Sequence, residues 1–362
     1  MLFFSISVSL LAAAGSVVAA PTLHHHARDR ENGTLLLIGV NIAGFDFGCS
    51  IHGSCHLSQV TPPLTSLGGV DGVGQMRHFA KDDGMDIFRL PVGWQYLVNK
   101  KLGGDLDAEN AGNYDQLVQA CLATGSHCVI DIHNYARWNG KIIGQGGPSN
   151  AQFVSLWTQL AEKYAGTDKV IFGVMNEPHD VPNIDKWVET VQAVVTAIRK
   201  AGAKTQMILL PGDDWTSAEA MARGSGPLLL EVKNPDGSTD GLVFDVHMYL
   251  DSDLSGTHPD CVTDNIDFAF QPLATWLRSH KRQALTSETG GGNTSSCEKY
   301  LCRQIQFFHE NADVFLGYTG WSAGAFNPET YHLSEVPTKK GNKWEDTALV
   351  KACLVRKPST SG

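Results

Sequence analysis

Residues 169–178 have the sequence Lys169-Val170-Ile171-Phe172-Gly173-Val174-Met175-Asn176-Glu177-Pro178. The apolar part of this stretch predicts a buried strand that ends where Asn176 and Glu177 begin. A second glutamate, Glu288, stands at the end of a similar run over residues 282–290. Two glutamates at the carboxyl ends of strands can face each other across a cleft. Glycoside hydrolysis requires such a pair, one carboxylic acid to protonate the leaving oxygen and one carboxylate to attack or to activate water.

The same kind of run recurs along the chain, and a stretch with helical spacing follows most of the runs. The runs cover Leu35–Phe45, Met85–Trp94, His127–Tyr135, Lys169–Glu177, Gln206–Trp215, Leu242–Leu250, Arg282–Gly290 and Val314–Gly324. The helical patterns cover Val73–Lys81, Tyr114–Ala123, Asn150–Tyr164, Asn183–Ala201, Thr216–Arg223, Thr263–Lys281, Ser296–Asn311 and Trp344–Cys353. Eight such units predict an α/β fold, a (β/α)8 TIM barrel with one catalytic domain. A doubly wound sheet is the competing fold.

Polar and aromatic residues collect at the ends of these runs, where a barrel places its chemistry. They are Arg89, Trp94, His133, Asn134, Tyr135, Asn176, Glu177, Asp213, Asp214, Trp215, His247, Tyr249, Glu288 and Trp321. A doubly wound sheet would not require functional residues at every strand end, so this distribution favours the barrel.

The formal net charge of −10 bears on the choice of partner. Nucleic acids and anionic membranes reward clusters of Lys and Arg, so neither is expected as a partner. A neutral polymer is indifferent to the charge, and acidity can simply aid solubility. The length of 362 residues suits one large domain or two average ones.

The N-terminus has the pattern of an export signal. Residues 2–14 are almost wholly apolar, and small residues precede Pro21, so residues 1–20 are predicted to be a signal peptide. Residues 21–33 are predicted to be a flexible leader or pro-segment, residues 34–356 the catalytic domain and residues 357–362 a flexible tail. The protein is therefore expected to be secreted and extracellular.

Eight cysteines fit an exported chain, because an even number suggests disulfides. Cys49 with Cys55 and Cys121 with Cys128 are the natural local pairs. The sequons at Asn32 and Asn293 are possible glycosylation sites, and the first is favoured because the second lies near the expected cleft.

Six ordered motifs resemble glycoside hydrolase family 5, and within it the fungal endo-β-1,4-glucanases. The motifs are Phe88-Arg89-Leu90-Pro91, Asp131-Ile132-His133-Asn134-Tyr135, Asn176-Glu177-Pro178, Asp245-Val246-His247-Met248-Tyr249, Glu288-Thr289-Gly290 and Gly320-Trp321. The stretches over residues 41–49 and 144–148 are similar to the fungal members, and the resemblance extends over roughly residues 35–356.

The resemblance implies a role for each matching residue. Glu177 would be the general acid/base and Glu288 the nucleophile, with Arg89 and Tyr249 keeping Glu288 ionised. Asn176 would bind the sugar 2-hydroxyl, His133 and His247 would complete the polar shell, and Trp321 would form a stacking floor followed by a cis peptide. The resemblance also adds two disulfides, Cys261–Cys297 and Cys302–Cys353. It implies no metal and no cofactor.

Trp138 and Trp215 are further candidates for sugar platforms, because polar residues surround them in the sequence. The expected protein is a monomeric, secreted, retaining endo-β-1,4-glucanase that binds cellulose or another β-glucan chain. A β-mannanase or a β-1,3-glucanase of the same family is the first alternative. A barrel that binds polysaccharide without cleaving it is the second.

Overall fold

Eight parallel strands form a closed barrel in the computed structural model, which describes residues 36–341 and 343–356. Each strand pairs with its two neighbours in chain order, and β1 closes the barrel against β8. The strands are β1 Leu37–Ala43, β2 Ile87–Val92, β3 His127–Ile132, β4 Val170–Gly173, β5 Ile208–Pro211, β6 Leu242–His247, β7 Ala284–Thr289 and β8 Phe315–Gly324. The predicted (β/α)8 barrel is confirmed.

The interior of the barrel changes from apolar to polar along the strands. One layer of apolar side chains, each near the start of its strand, fills one end: Ile87, Val129, Ile171, Leu209, Val243, Leu285 and Leu316, with Leu37 packed against them. Because alternate residues of a strand share a face, the residue two positions later points the same way. On β2, β3, β6 and β7 that residue is polar: Arg89, Asp131, Asp245 and Ser287, respectively. The alternation of side chains along each strand therefore places a layer of polar groups next to the apolar layer inside the barrel.

The helices surround the barrel and bury their apolar faces against it. The α-helices are α1 Gly72–Asp82, α2 Trp94–Leu97, α3 Ala108–Leu122, α4 Asn150–Tyr164, α5 Ile184–Lys200, α6 Ala218–Met221, α7 Gly226–Leu229, α8 Gln271–His280 and α9 Ser295–Glu310. Short 3-10 helices cover Leu57–Gln59 and Thr65–Leu67, and π-helical turns cover Ile266–Phe270 and Val350–Leu354. A capping box fixes the N-terminus of α4, because the side chains of Ser149 and Gln152 each accept a hydrogen bond from the other's backbone N–H.

One predicted helix is wrong over its first half. Lys343–Glu345 is a strand that pairs with Thr338–Lys340, so Trp344 lies in a hairpin and not in a helix. The helical pattern is realised only over Val350–Leu354. A second hairpin, Arg137–Trp138 with Lys141–Ile142, follows β3 and had no counterpart in the predicted elements.

Four disulfides fasten loops and helices to the barrel. The structure pairs Cys49–Cys55, Cys121–Cys128, Cys261–Cys297 and Cys302–Cys353, which are the four pairs expected above. Cys302–Cys353 joins α9 to the last described segment across a sequence separation of 51 residues. Of the four disulfides, Cys302–Cys353 therefore closes the largest loop, which ends in the last described segment of the chain.

The predicted signal peptide, leader and tail, together with the sequon at Asn32, lie outside the described residues. Among the residues that are described, no helix is long and apolar enough to cross a membrane. The side-chain nitrogen of Asn293 donates to the carbonyl of Ser334 at 3.0 Å, so this sequon nitrogen is already engaged.

Candidate active site

Glu177 and Glu288 meet at the end of the barrel where the strands finish. Glu288 lies within β7, and Glu177 follows β4 in a left-handed backbone conformation with φ of 40°. A carboxylate oxygen of each lies within 4.8 Å of one of the other. The two glutamates, 111 positions apart in sequence (288 − 177), are therefore brought into one site.

Glu288 is held as a carboxylate by donors on both oxygens. Arg89 donates to Oε1 at 2.5 Å, and the Tyr249 hydroxyl donates to Oε2 at 2.8 Å. Burial by itself would raise the pKa of Glu288, but the charges of His247 and Arg89 and the Tyr249 hydrogen bond outweigh it, so the pKa is lowered. Glu288 is thereby kept ionised although it is only 4% exposed.

Arg89 is fully buried and organises the groups around it. Its guanidinium donates to Asn41 Oδ1 at 3.0 Å and to Asn176 Oδ1 at 2.7 Å, and it forms an ion pair with Asp131 at 3.0 Å. Burial opposes its charge, but Asp131 and Glu288 favour it, and the pKa of Arg89 is raised. A permanent positive charge therefore sits beside the Glu288 carboxylate.

His247 lies between the two glutamates. Its Nδ1 donates to Glu177 Oε1 at 2.8 Å and lies 3.6 Å from Glu288 Oε2, while Nε2 donates to Ser287 Oγ at 2.9 Å. The Ser287 hydroxyl in turn donates to Asp245 Oδ1 at 2.5 Å. Burial lowers the pKa of His247, but Glu288 and Glu177 more than offset it and raise the pKa to about 9. With both ring nitrogens donating, His247 is an imidazolium ion at neutral pH.

His133 and Asn176 form the other side of the site. His133 Nδ1 donates to Asp131 Oδ2 at 2.8 Å, which leaves Nε2 to accept from Asn176 Nδ2 at 3.3 Å. The Asn176 amide is thus fixed at both ends, since its oxygen accepts from Arg89. The His133 ring stacks on Trp321 with centroids 5.5 Å apart, so the polar shell continues directly into an aromatic wall.

Trp321 is the half-buried floor of an open cavity of about 400 Å³. Its indole nitrogen donates to the Tyr331 hydroxyl at 2.8 Å, and the peptide that follows it is cis, as the resemblance implied. The cavity is lined by Asp46, Phe47, Gly48, Cys49, Gln59, His133, Tyr135, Trp321 and Phe326. Flat rings and short polar groups of this kind match the alternating C–H faces and hydroxyls of a pyranose chain.

The two further tryptophan candidates differ in exposure. Trp215 is 37% exposed and stacks on His179 with ring centroids 3.9 Å apart, so one face of the ring is held and the remainder is exposed. Trp138 is only 9% exposed and packs edge-on against the buried Trp94 at 5.0 Å. The structure therefore does not present Trp138 as an open platform, because its hairpin folds it into the core.

Asn41, Asp131, Asp245 and Ser287 belong to the site although the sequence did not single them out for it. A signal for the two aspartates was present, because each stands two residues before a site histidine, in Asp131-Ile132-His133 and Asp245-Val246-His247. Residues two apart on a strand share a face, so each pair could have been placed inside the barrel. Asn41 and Ser287 carry no comparable local signal.

Several known proteins are similar to this chain. A sequence model of the family described as Cellulase (glycosyl hydrolase family 5) matches residues 49–327. Endoglucanase EG-II of Hypocrea jecorina is 63% identical over 324 residues, which cover 88% of this chain and 77% of that protein. The manganese dependent endoglucanase Eg5A of Phanerodontia chrysosporium is 49% identical over 307 residues, 84% of this chain and 76% of its own length.

Among solved structures, the crystal structure of Cel5A (EG2) from Hypocrea jecorina superposes with a TM-score of 0.88 at 62% identity. The match covers 90% of this chain and 99% of that one. The family match spans more than half of the chain, and the relatives are similar over most of their length. The chain therefore belongs to glycosyl hydrolase family 5.

Proposed function

We propose that this protein is an endo-β-1,4-glucanase that cleaves internal bonds of cellulose and related β-glucans by double displacement, with retention of configuration. The observation that carries the mechanism is the spacing of the two glutamates, since one carboxylate oxygen of Glu177 lies within 4.8 Å of one of Glu288. Retaining enzymes hold their carboxyl groups about 5–5.5 Å apart, whereas inverting enzymes leave about 6.5–9.5 Å for a water molecule. The spacing supports direct attack by one glutamate.

In the first step, Glu288 attacks the anomeric carbon while Glu177 gives its proton to the glycosidic oxygen. A covalent bond forms between Glu288 and the sugar, and the bond to the leaving chain breaks. The assignment of roles rests on the different surroundings of the two groups. Glu288 has donors on both oxygens and a lowered pKa, which suits a nucleophile, and Glu177 is more exposed, where a leaving group can depart.

In the second step, Glu177 accepts a proton from a water molecule, which attacks the anomeric carbon and releases Glu288. The two inversions restore the original configuration of the sugar. We assign Asn176 to the sugar 2-hydroxyl, because its amide is held on both sides and cannot rotate freely. Such a contact strengthens in the transition state and adds to the rate.

Cellulose is the proposed substrate because relatives 63% and 49% identical to this chain are named endoglucanases. We propose that Trp321 and Trp215 stack against sugars of the bound chain. Export from the cell is also part of the proposal and is supported by the four disulfides, which form in oxidising compartments. A monomeric state, and the absence of nucleic-acid and membrane partners, stay predictions.

Two measurements test the proposal. Reducing-sugar release from carboxymethyl cellulose should exceed release from mannan and from laminarin, and a preference for either of the latter would refute the substrate. Proton NMR of the first products should show the β-anomer, and an initial α-anomer would refute retention. Glu177→Gln and Glu288→Gln serve as controls, since each should abolish most of the release while the protein stays folded by circular dichroism.

A further inference from the structure

A second cluster of ionisable side chains lies at the other end of the barrel. It consists of His78 and Asp82 in α1, Asp83 directly after that helix, and Asp346 in the last described segment. Asp83 comes shortly before β2 begins, whereas the two glutamates lie where strands end. The cluster is therefore separate from the site of hydrolysis.

Three donor atoms of this cluster converge. His78 Nε2 lies 2.8 Å from Asp346 Oδ1 and 3.5 Å from Asp83 Oδ2, and all three atoms are within 4.8 Å of one another. The side chains of His78, Asp83 and Asp346 are only 5%, 10% and 9% exposed. One imidazole and two carboxylates are thus enclosed together.

Asp83 is the group that this arrangement leaves unsatisfied. Its Oδ2 is buried and has no hydrogen-bond partner. A buried carboxylate oxygen without a partner is costly, and a second carboxylate opposite makes it more so. The position calls for a positive charge between the two aspartates.

Asp82 fixes the direction in which His78 points. His78 Nδ1 lies 2.7 Å from Asp82 Oδ2 and Nε2 lies 2.8 Å from Asp346 Oδ1, so each ring nitrogen donates to a carboxylate. A metal ion would replace the proton on Nε2, while Asp82 would keep the proton on Nδ1. A carboxylate behind a histidine in this way is the usual outer support of a metal ligand.

We propose that His78 Nε2, Asp83 Oδ2 and Asp346 Oδ1 bind one divalent cation of the Mn²⁺ or Zn²⁺ type, with water completing its coordination. One imidazole and two carboxylates are a ligand set that suits these ions. Ligands about 2.1 Å from a tetrahedral ion are about 3.4 Å from one another. The separations of 2.8 and 3.5 Å are close to that value, so small side-chain movements suffice.

The cation would fasten the C-terminal segment to α1. Asp346 follows the hairpin that carries Trp344, whose ring stacks over His78 with centroids 6.1 Å apart. Ten residues after Asp346, Arg356 forms an ion pair with Asp86 at 2.7 Å. A ligand that binds only the folded state raises its stability, so the site predicts stabilisation by metal without a part in catalysis.

The test is thermal melting of the whole protein after dialysis against EDTA. With about 1 mM MnCl₂ or ZnCl₂ added, the melting temperature of the wild type should rise by about 3 °C or more. The double variant Asp83→Asn with Asp346→Asn should show no such rise, whatever its starting stability, because each protein is compared with itself. Titration calorimetry should find one fewer Mn²⁺ site in the double variant.

A matched control is Asp253→Asn, whose side chain is 57% exposed and lies 3.4 Å from the exposed His258. It should keep the full metal-dependent rise. Two results would overturn the proposal: no rise in the wild type with either ion, or an equal rise in the wild type and in the double variant. The melting readout is independent of hydrolysis, so a failure here would leave the proposed function untouched.

Discussion

Glu335 is a buried carboxyl group whose replacement should change how stability depends on pH. It is 1% exposed, and neither of its side-chain oxygens has a hydrogen-bond partner. The group leans against the backbone of β8, where a Cβ built on Gly320 would lie 2.2 Å from Oε1. Burial, with no compensating positive charge, raises the pKa of Glu335 well above its ordinary value of 4.5. The folded protein therefore holds a neutral carboxylic acid at this position.

The magnitude follows from proton linkage. Below pH 4.5 the group is protonated in both the folded and the unfolded chain, so it carries no penalty. Above that pH the unfolded chain releases the proton and the folded chain keeps it. The free energy of unfolding then falls by about 1.4 kcal/mol per pH unit until the folded pKa is reached. Between about pH 5.5 and 7.5 the loss is therefore at most about 2.7 kcal/mol.

Glu335→Gln keeps the shape of the side chain and removes the titration. Guanidinium unfolding at the two pH values should show the glutamine variant gaining on the wild type as pH rises, by at most about 2.7 kcal/mol, because all other titrating groups are shared. Glu329→Gln, at an exposed position of the same loop, is the matched control and should show no pH-dependent gain. An unchanged difference between Glu335→Gln and wild type at both pH values would refute the reasoning.

Three further perturbations follow from the structure. Tyr249→Phe removes the hydroxyl that donates to Glu288 at 2.8 Å and should lower kcat by about 10- to 100-fold. Because the pKa of Glu288 then rises, the acidic limb of the pH–rate profile should move to higher pH. An unshifted limb would contradict this. Trp215→Ala removes a 37% exposed ring and should raise KM by about tenfold with kcat nearly unchanged, whereas an equal fall in kcat would point to a role in the transition state. The double variant Cys302→Ser with Cys353→Ser removes the disulfide that joins residues 51 positions apart. Denaturant titrations should show a free energy of unfolding lower by about 4 kcal/mol, because the unfolded chain gains loop entropy. A loss below about 1 kcal/mol would contradict this explanation.

The barrel and its polar end could be predicted because both depend on short-range periodicity. In Asp131-Ile132-His133 and Asp245-Val246-His247, the first and third residues lie on the same face of a strand. The sequence alone therefore predicts which side chains point into the barrel. The helix Asn150–Tyr164 could be placed because Ser149 marks its start. Local signals of this kind are sufficient wherever the chain decides its structure within a few residues.

The remainder depended on contacts between distant segments. Trp344 has a neighbourhood compatible with a helix, but pairing with Thr338–Lys340 makes it part of a strand. Trp138 has polar neighbours in sequence, yet packing against Trp94 buries it. Glu335 lies in a loop, where a carboxylate is expected to face water, and only the closed barrel reveals that it is buried. The positions of Trp344, Trp138 and Glu335 therefore cannot be predicted from the residues that neighbour them in the sequence.

The surroundings of the two glutamates also explain why the proposed mechanism gives them different roles. Both oxygens of Glu288 accept hydrogen bonds, from Arg89 at 2.5 Å and from Tyr249 at 2.8 Å, and its pKa is lowered. Glu177 accepts a hydrogen bond from His247 at 2.8 Å, and its side chain is 16% exposed against 5% for Glu288. Because Glu288 is enclosed and held as a carboxylate, it suits the group that bonds to the sugar. Because Glu177 is the more exposed of the two, it suits the group that meets the leaving chain and then the incoming water.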